Sequence, residues 1–309
     1  MAIEWVARAH ELASTQDGVL TLQQAKRLGA TTHEINVLVQ RHRWARPIPR
    51  VYEPSPTAAL TRRGRIRAAV LSCGDSAVAA LHSAAELHGL AVPADPLVHV
   101  AVAPTASRVR ARQPWLRIHQ YELRSDERAC IDGVPTTSID RTLIDLICCL
   151  PRFDAVALLD SALQPGPAEH AALLHRLSPA LRRRRGALAA RRCLTECDGR
   201  AESPLETRVR LRCVDGGTPP EALQYPVTNA QGDVLGYADL AWPSRRLAVE
   251  ADGRGPHANP EALFVDRRRQ NDFHRAGWRV FRFTWDDCAH PAYIPNMLHA
   301  LLRNPRHAA

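Results

Sequence analysis

Residues 238 to 257 read ADLAWPSRRLAVEADGRGPH. Two short apolar runs, DLAW and LAVEA, flank PSRR, the pattern of a β-hairpin with Pro243 and Ser244 at the bend. Three carboxylates, Asp239, Glu250 and Asp252, sit inside or at the ends of those runs. Acids are disfavoured in strands, and burying an unpaired carboxylate is costly. Any fold taken by this segment must supply them with cations, donors or a metal ion. Glu250 and Asp252 are two apart, so on a strand they face the same way. Asp239, on the partner strand, reaches the same region to within a residue of register. Carboxylates splayed at a sheet end can hold Mg²⁺ or Mn²⁺, which keeps waters for a substrate phosphate. The alternative is ion pairing with Arg245, Arg246, Arg254 or the arginines at 267–269.

The flanking sequence completes a unit from residue 199 to 309. Ser203, Pro204 and Glu206 have the spacing of an N-cap, N1 and N3, a capping box opening a helix. A strand, the hairpin, a helix ended by Gly277, a strand over WRVFRFTWDD and a last helix follow. That order predicts helices packed on a mixed sheet. Asp239, LAVEADG with His257, and VDRRRQNDFHRAGWRVFRFTW resemble the very-short-patch-repair endonuclease-like branch of the PD-(D/E)XK superfamily. The resemblance implies a restriction-endonuclease-like fold and metal-dependent DNA hydrolysis. It implies that Asp239, Glu250 and Asp252 bind the ion, that Glu206 supports them and that His257 assists water. It also implies that the helix carrying Asp266, Arg269, Gln270 and Asp272 faces the site and contacts phosphate. One departure stands out: the superfamily's usual lysine is replaced by Asp252.

At the other end, residues 3–14 have helical spacing. Thr21 N-caps LQQAKRL and Gly29 ends it; Thr31 or Thr32 caps the next helix, whose first turn carries Glu34. With WARPIPRVYEP as a two-stranded wing, residues 1–60 read as a winged helix-turn-helix. Thr32, His33, Arg41, His42, Arg43, Arg46 and Arg50 form its DNA-binding candidates. Residues 61–198 read as an α/β middle region. Helices fall at RIRAAVLSCG and SAVAALHSAAELHGL, strands at PLVHVAVAP and WLRIHQYEL, and a loop leads into a helix over GVPTTSIDRTLIDLICCL. Helices are expected over 153–163 and 168–198, the latter including a basic helix, ALRRRRGALAARRCL. His82, Glu86 and His88 lie on or beside one helix and read as its polar face rather than as ligands. The helix-turn-helix and wing, ALHSAAELHGL and GVPTTSIDRTLIDL resemble the N-terminal part of AbiEi-type antitoxins over residues 1–165. These are winged-helix repressors of type IV toxin–antitoxin systems. The resemblance implies DNA binding through the helix at 32–42 and raises a toxin protein as a partner.

Bulk properties agree with a nucleic-acid partner without demanding one. The net charge is +9 over 309 residues, but Lys26 is the only lysine, so the basicity is almost all arginine and reads partly as genome composition. None of the eight cysteines forms a CxxC pair, and buried thiols in a reducing cytosol are expected. No leader or membrane-spanning run is evident, so a cytoplasmic protein is expected; the sequence leaves its oligomeric state open. Two functions remain. One is a Mg²⁺-dependent endodeoxyribonuclease delivered by a winged helix. The other is a non-catalytic antitoxin-like regulator with a degenerate nuclease fold.

Overall fold

A computed structural model describes residues 4–55, 60–105, 113–164, 168–253 and 260–303; of residues 168–169 and 260–266 it describes the backbone alone. The chain packs as two units, 1–146 and 147–309.

The first unit opens with α1 (Glu4–Ser14), β1 (Leu20–Thr21), α2 (Leu22–Arg27), α3 (Thr32–Gln40), β2 (Ala45–Ile48) and β3 (Val51–Glu53). Capping dictates the helix starts. Thr21 accepts from Gln24 N–H while the Gln24 side chain returns to the Thr21 N–H, and Thr31 and Glu34 repeat the arrangement. Thr31, not Thr32, is thus the cap. Gly29, at φ +105°, turns the chain between the helices. β1, β3 and β2 form a three-stranded sheet in that order, β2 and β3 being an antiparallel hairpin.

The unit continues with α4 (Arg62–Cys73), β4 (Val78–Ala79), α5 (Leu81–Leu87), β5 (Val98–Val102), β6 (Leu116–Gln120), β7 (Arg128–Ile131), β8 (Val134–Thr137) and α6 (Ile139–Ile147). The strands form a five-stranded mixed sheet in the order β6-β5-β4-β8-β7. Residues 134–137, expected as loop, are a strand paired to β7. One apolar cluster joins Val19, Ile48 and Val51 to Ile66, Val70, Val98 and Val100. The expected domain boundary at residue 60 therefore crosses a continuous core.

The second unit contains α7 (Arg152–Leu163), α8 (Ala168–Ala180), α9 (Ala187–Glu196), α10 (Pro204–Asp215), β9 (Ala222–Thr228), β10 (Val234–Trp242), β11 (Leu247–Ala251), α11 (Pro260–Arg275), β12 (Arg279–Phe283), α12 (Trp285–Ala289) and α13 (Tyr293–Arg303). The expected basic helix through 180–194 is broken. Arg183 and Gly186 both have positive φ, and a Cβ at Gly186 would lie 2.1 Å from the Cys148 carbonyl oxygen, so only glycine fits. The boundary expected at 198/199 also falls inside a packed unit. Asp160 of α7, 1% exposed, accepts from Arg210 and Thr207 of α10 and from the Asp198 N–H. Such a carboxylate stays buried only because cation and donors replace its lost water.

β9 to β12 form a four-stranded sheet in the order β12-β11-β10-β9, with β11 and β12 parallel and the other pairs antiparallel. Leu205 and Val209 of α10 pack on one face with Leu240, Leu247 and Val249. Phe273 of α11 packs on the other with Ala241 and Ala248. Gly236 permits that approach: a Cβ there would come within 3.1 Å of Arg269 Cδ and 3.2 Å of the Phe273 ring. Among the described residues, no helix is long and apolar enough to cross a membrane.

Candidate functional site

The hairpin forms as expected, with Leu240 opposite Val249 and Trp242 opposite Leu247. Its first strand reaches back to Val234, further than the apolar run alone suggests. Pro243–Arg245 make a turn of 3-10 helix, closed by Arg246 at φ +47°. Each acid then has its own circumstances.

Glu250 is buried on β11. Its Oε1 lies 3.0 Å from Arg269 Nη2 of α11, and its Oε2 accepts from Arg282 Nε of β12 at 2.9 Å. Parallel pairing places Glu250 directly beside Arg282. This is the ion-pairing alternative, with different arginines from most of those named by the sequence. Arg269, expected on phosphate, instead holds Glu250. Arg282 was missed; its signal is a basic residue inside the apolar strand RVFRF.

Asp239 is half-buried, and its Oδ2 accepts from the Ala251 N–H at 2.8 Å. Burial raises its pKa to about 7; the Ala251 bond and Arg269 oppose that, and the nearby Glu206 and Glu250 charges reinforce it. Glu206 does not close the expected capping box. Ser203 caps α10 by accepting from the Glu206 N–H, but the Glu206 carboxylate accepts from Glu202 N–H at 2.8 Å and from Gln224 Nε2 at 3.0 Å. Asp252 lies one residue past β11, and its N–H extends the parallel ladder to the Phe283 carbonyl. Gln270 is half-buried on α11 and Asp272 lies 3.7 Å from Arg275. His257 and the Asp266 side chain lie outside the described residues.

Among the described residues, the one trio of His, Cys, Asp or Glu whose ligand atoms all lie within 4.8 Å of one another is His82, Asp95 and His99, in the first unit. Asp239, Glu250 and Asp252 make no such group, and both oxygens of Glu250 face guanidinium groups. An arginine remains cationic at any physiological pH, so the two guanidinium groups offset the Glu250 charge whatever the pH.

In the first unit, Thr32, His33, Arg41, His42, Arg43, Arg46 and Arg50 are all exposed. They follow from the start of α3 through its C-terminal turn to the β2–β3 hairpin. Arg46 lies over the Tyr52 ring at 5.9 Å. Among the described residues, none of these arginines is ion-paired to an acid, in contrast with Arg63 and Arg67, which hold Asp17. Five of the eight cysteines are buried as expected, but Cys130 and Cys149 are exposed.

Residues 77–196 match the family described as the AbiEi antitoxin C-terminal domain. The match begins beyond α4 and continues through α9, so it differs in extent from the similarity expected over residues 1–165. The crystal structure of RV2827C protein from Mycobacterium tuberculosis aligns at a TM-score of 0.41 and 16% identity, over 73% of this chain and 84% of that one. Over 225 residues the chain is 33% identical to the uncharacterized proteins MT2308 and Rv2248 of Mycobacterium tuberculosis, covering 72% of this chain and 80% of each relative. The chain therefore belongs to the same family as these two mycobacterial proteins, and its residues 77–196 are similar to the AbiEi antitoxin C-terminal domain.

Proposed function

We propose that this chain is a DNA-binding regulator of antitoxin type, acting through the α2–α3 helix-turn-helix and the β2–β3 wing. The observation that carries the reading is the exposed row Arg41, Arg43, Arg46 and Arg50, left without acidic partners among the described residues. Such arginines displace condensed counterions from DNA, and α3 has the size and exposure to enter a major groove. The AbiEi similarity supports the same reading and suggests a toxin protein as the regulated partner. Fluorescence anisotropy tests it, using a duplex from upstream of the chain's own coding sequence and a scrambled control. Replacing Arg41, Arg43 and Arg46 together by alanine is expected to weaken binding at least tenfold and to flatten the salt dependence by roughly 0.9 per lost phosphate contact. Unchanged affinity and salt slope in the triple variant would reject this surface.

A Mg²⁺- or Mn²⁺-dependent endodeoxyribonuclease is the second reading. The raised pKa of Asp239 favours it, because a carboxylate short of compensation beside two other acids is a place where a cation is welcome. The guanidinium groups on Glu250 oppose it. Plasmid nicking by the wild type with Mn²⁺, abolished by Asp239→Asn, would put this reading first.

A further inference from the structure

Three imidazoles and one carboxylate meet on the face of the five-stranded sheet opposite α4. His82 is the second residue of α5, Asp95 lies in the segment before β5, His99 is on β5 and His119 on β6. The register puts His99 beside Arg117 and Ala101 beside His119, so both histidines share a face. Two interactions bring the pieces together. Ser83 Oγ accepts from the His99 N–H at 2.9 Å, which ties α5 to β5. Arg62 donates to the Leu97 carbonyl at 2.7 Å and to Glu86, which pins the segment next to Asp95.

We propose that His82, Asp95 and His99 bind a divalent transition-metal ion, Zn²⁺ foremost. Asp95 Oδ2 lies 3.0 Å from His99 Nε2 and 3.5 Å from His82 Nδ1. Ligands around a tetrahedral zinc, with bonds of about 2.0–2.1 Å, stand roughly 3.3 Å apart. The observed separations bracket that value. His82 Nδ1 is buried without a hydrogen-bond partner, a ligand atom with nothing else to do.

The surrounding contacts have the form expected around a metal. Asp95 Oδ1 accepts from the Leu97 N–H at 2.8 Å, which leaves Oδ2 turned inward. His99 Nδ1 lies 2.9 Å from His119 Nε2. When His99 donates across that contact, its Nε2 lone pair faces the ion, and His119 becomes the positioning residue that selects the tautomer. Two nitrogens and one oxygen suit Zn²⁺ over Mg²⁺ and leave the fourth position to water or an external ligand. No guanidinium is paired to Asp95 among the described residues, whereas Glu86, on the same helix as His82, is held by Arg62. The ion would clamp α5 and the Asp95 segment to the sheet inside the AbiEi-like region.

The untagged full-length chain, stripped with a chelator, is titrated with Zn²⁺ by calorimetry and with Co²⁺ by visible absorption. About one equivalent is expected, with the intense d–d bands of four-coordinate Co²⁺ and a zinc-dependent rise in melting temperature. His82→Gln, Asp95→Asn and His99→Gln should each abolish the bands, and His119→Gln should weaken zinc 10–100-fold. Replacing the exposed Cys130 and Cys149 by serine should change nothing. If any histidine variant fails to fold, the conservative Asp95→Asn decides. No uptake by the wild type, or equal uptake by wild type and Asp95→Asn, overturns the proposal, as does loss of uptake in the cysteine variant.

Discussion

Asp95 in the first unit and Glu250 in the second are both carboxylates held against a β-sheet, but they face different partners. Asp95 faces two imidazoles, at 3.0 and 3.5 Å. Glu250 faces two guanidinium groups, at 2.9 and 3.0 Å. Histidine is a cation only when protonated and a ligand otherwise, whereas arginine is a permanent cation with no lone pair to offer. A metal can therefore complete the first arrangement, while the second is already neutralised. The cluster that looks like a nuclease site in sequence is the one whose central acid is occupied. Of the three residues that read in sequence as a polar helix face, only His82 belongs to the trio with Asp95 and His99.

The largest effect that sharpens this contrast is expected at Glu250. Glu250→Ala removes the acid that both Arg269 and Arg282 hold. Both are partly exposed, so the cost falls below that of a fully buried pair, at about 2–3 kcal/mol in urea unfolding. A loss near zero would mean that the arginines do not depend on Glu250, reopening its oxygens to a metal.

Asp239→Asn should act in the opposite direction, with a pH signature. The folded-state pKa is about 7, above the unfolded value of about 3.9. The unfolded chain thus releases the proton first, and the wild type loses stability as pH rises from about 4 to about 7. Asparagine keeps an acceptor for the Ala251 N–H without the charge. The variant should be more stable than wild type by on the order of 2 kcal/mol above pH 7, after discounting for relaxation of a half-buried site, and by nothing below pH 4. Equal stability of the two proteins at pH 8 would show that something compensates the Asp239 charge.

The smallest effect is Asp95→Asn in chelator, about 1 kcal/mol, since only hydrogen bonds to Leu97 and His99 are altered. Adding Zn²⁺ should widen that difference, while adding Mn²⁺ should not widen the one at Glu250. The same Zn²⁺ response in both would erase the contrast.

Sequence alone goes furthest where the partners are near neighbours. The caps at Thr21 and at Ser203 with Pro204, and the stops at Gly29 and Gly277, are all short-range. In each the residue satisfies backbone groups within one turn or takes a positive φ. The exposure of Thr32 and His33 follows for a related reason from the buried stripe of α3 around Ile35. The basic stretch at 180–194 misled because helix propensity says nothing of the Cys148 carbonyl against which Gly186 must fit.

Local capping, turn chemistry and apolar alternation were thus set by the amino-acid order, including the hairpin that presents Asp239 and Glu250. Only the tertiary structure decided what answers those charges. Glu250 meets Arg282 across 32 residues because β11 and β12 lie parallel in one register. His99 meets His82 because α5 docks on β5 through Ser83. A charge shows in a sequence, but the group that neutralises it is selected by strand order and helix docking, to which spacing along the chain gives no access.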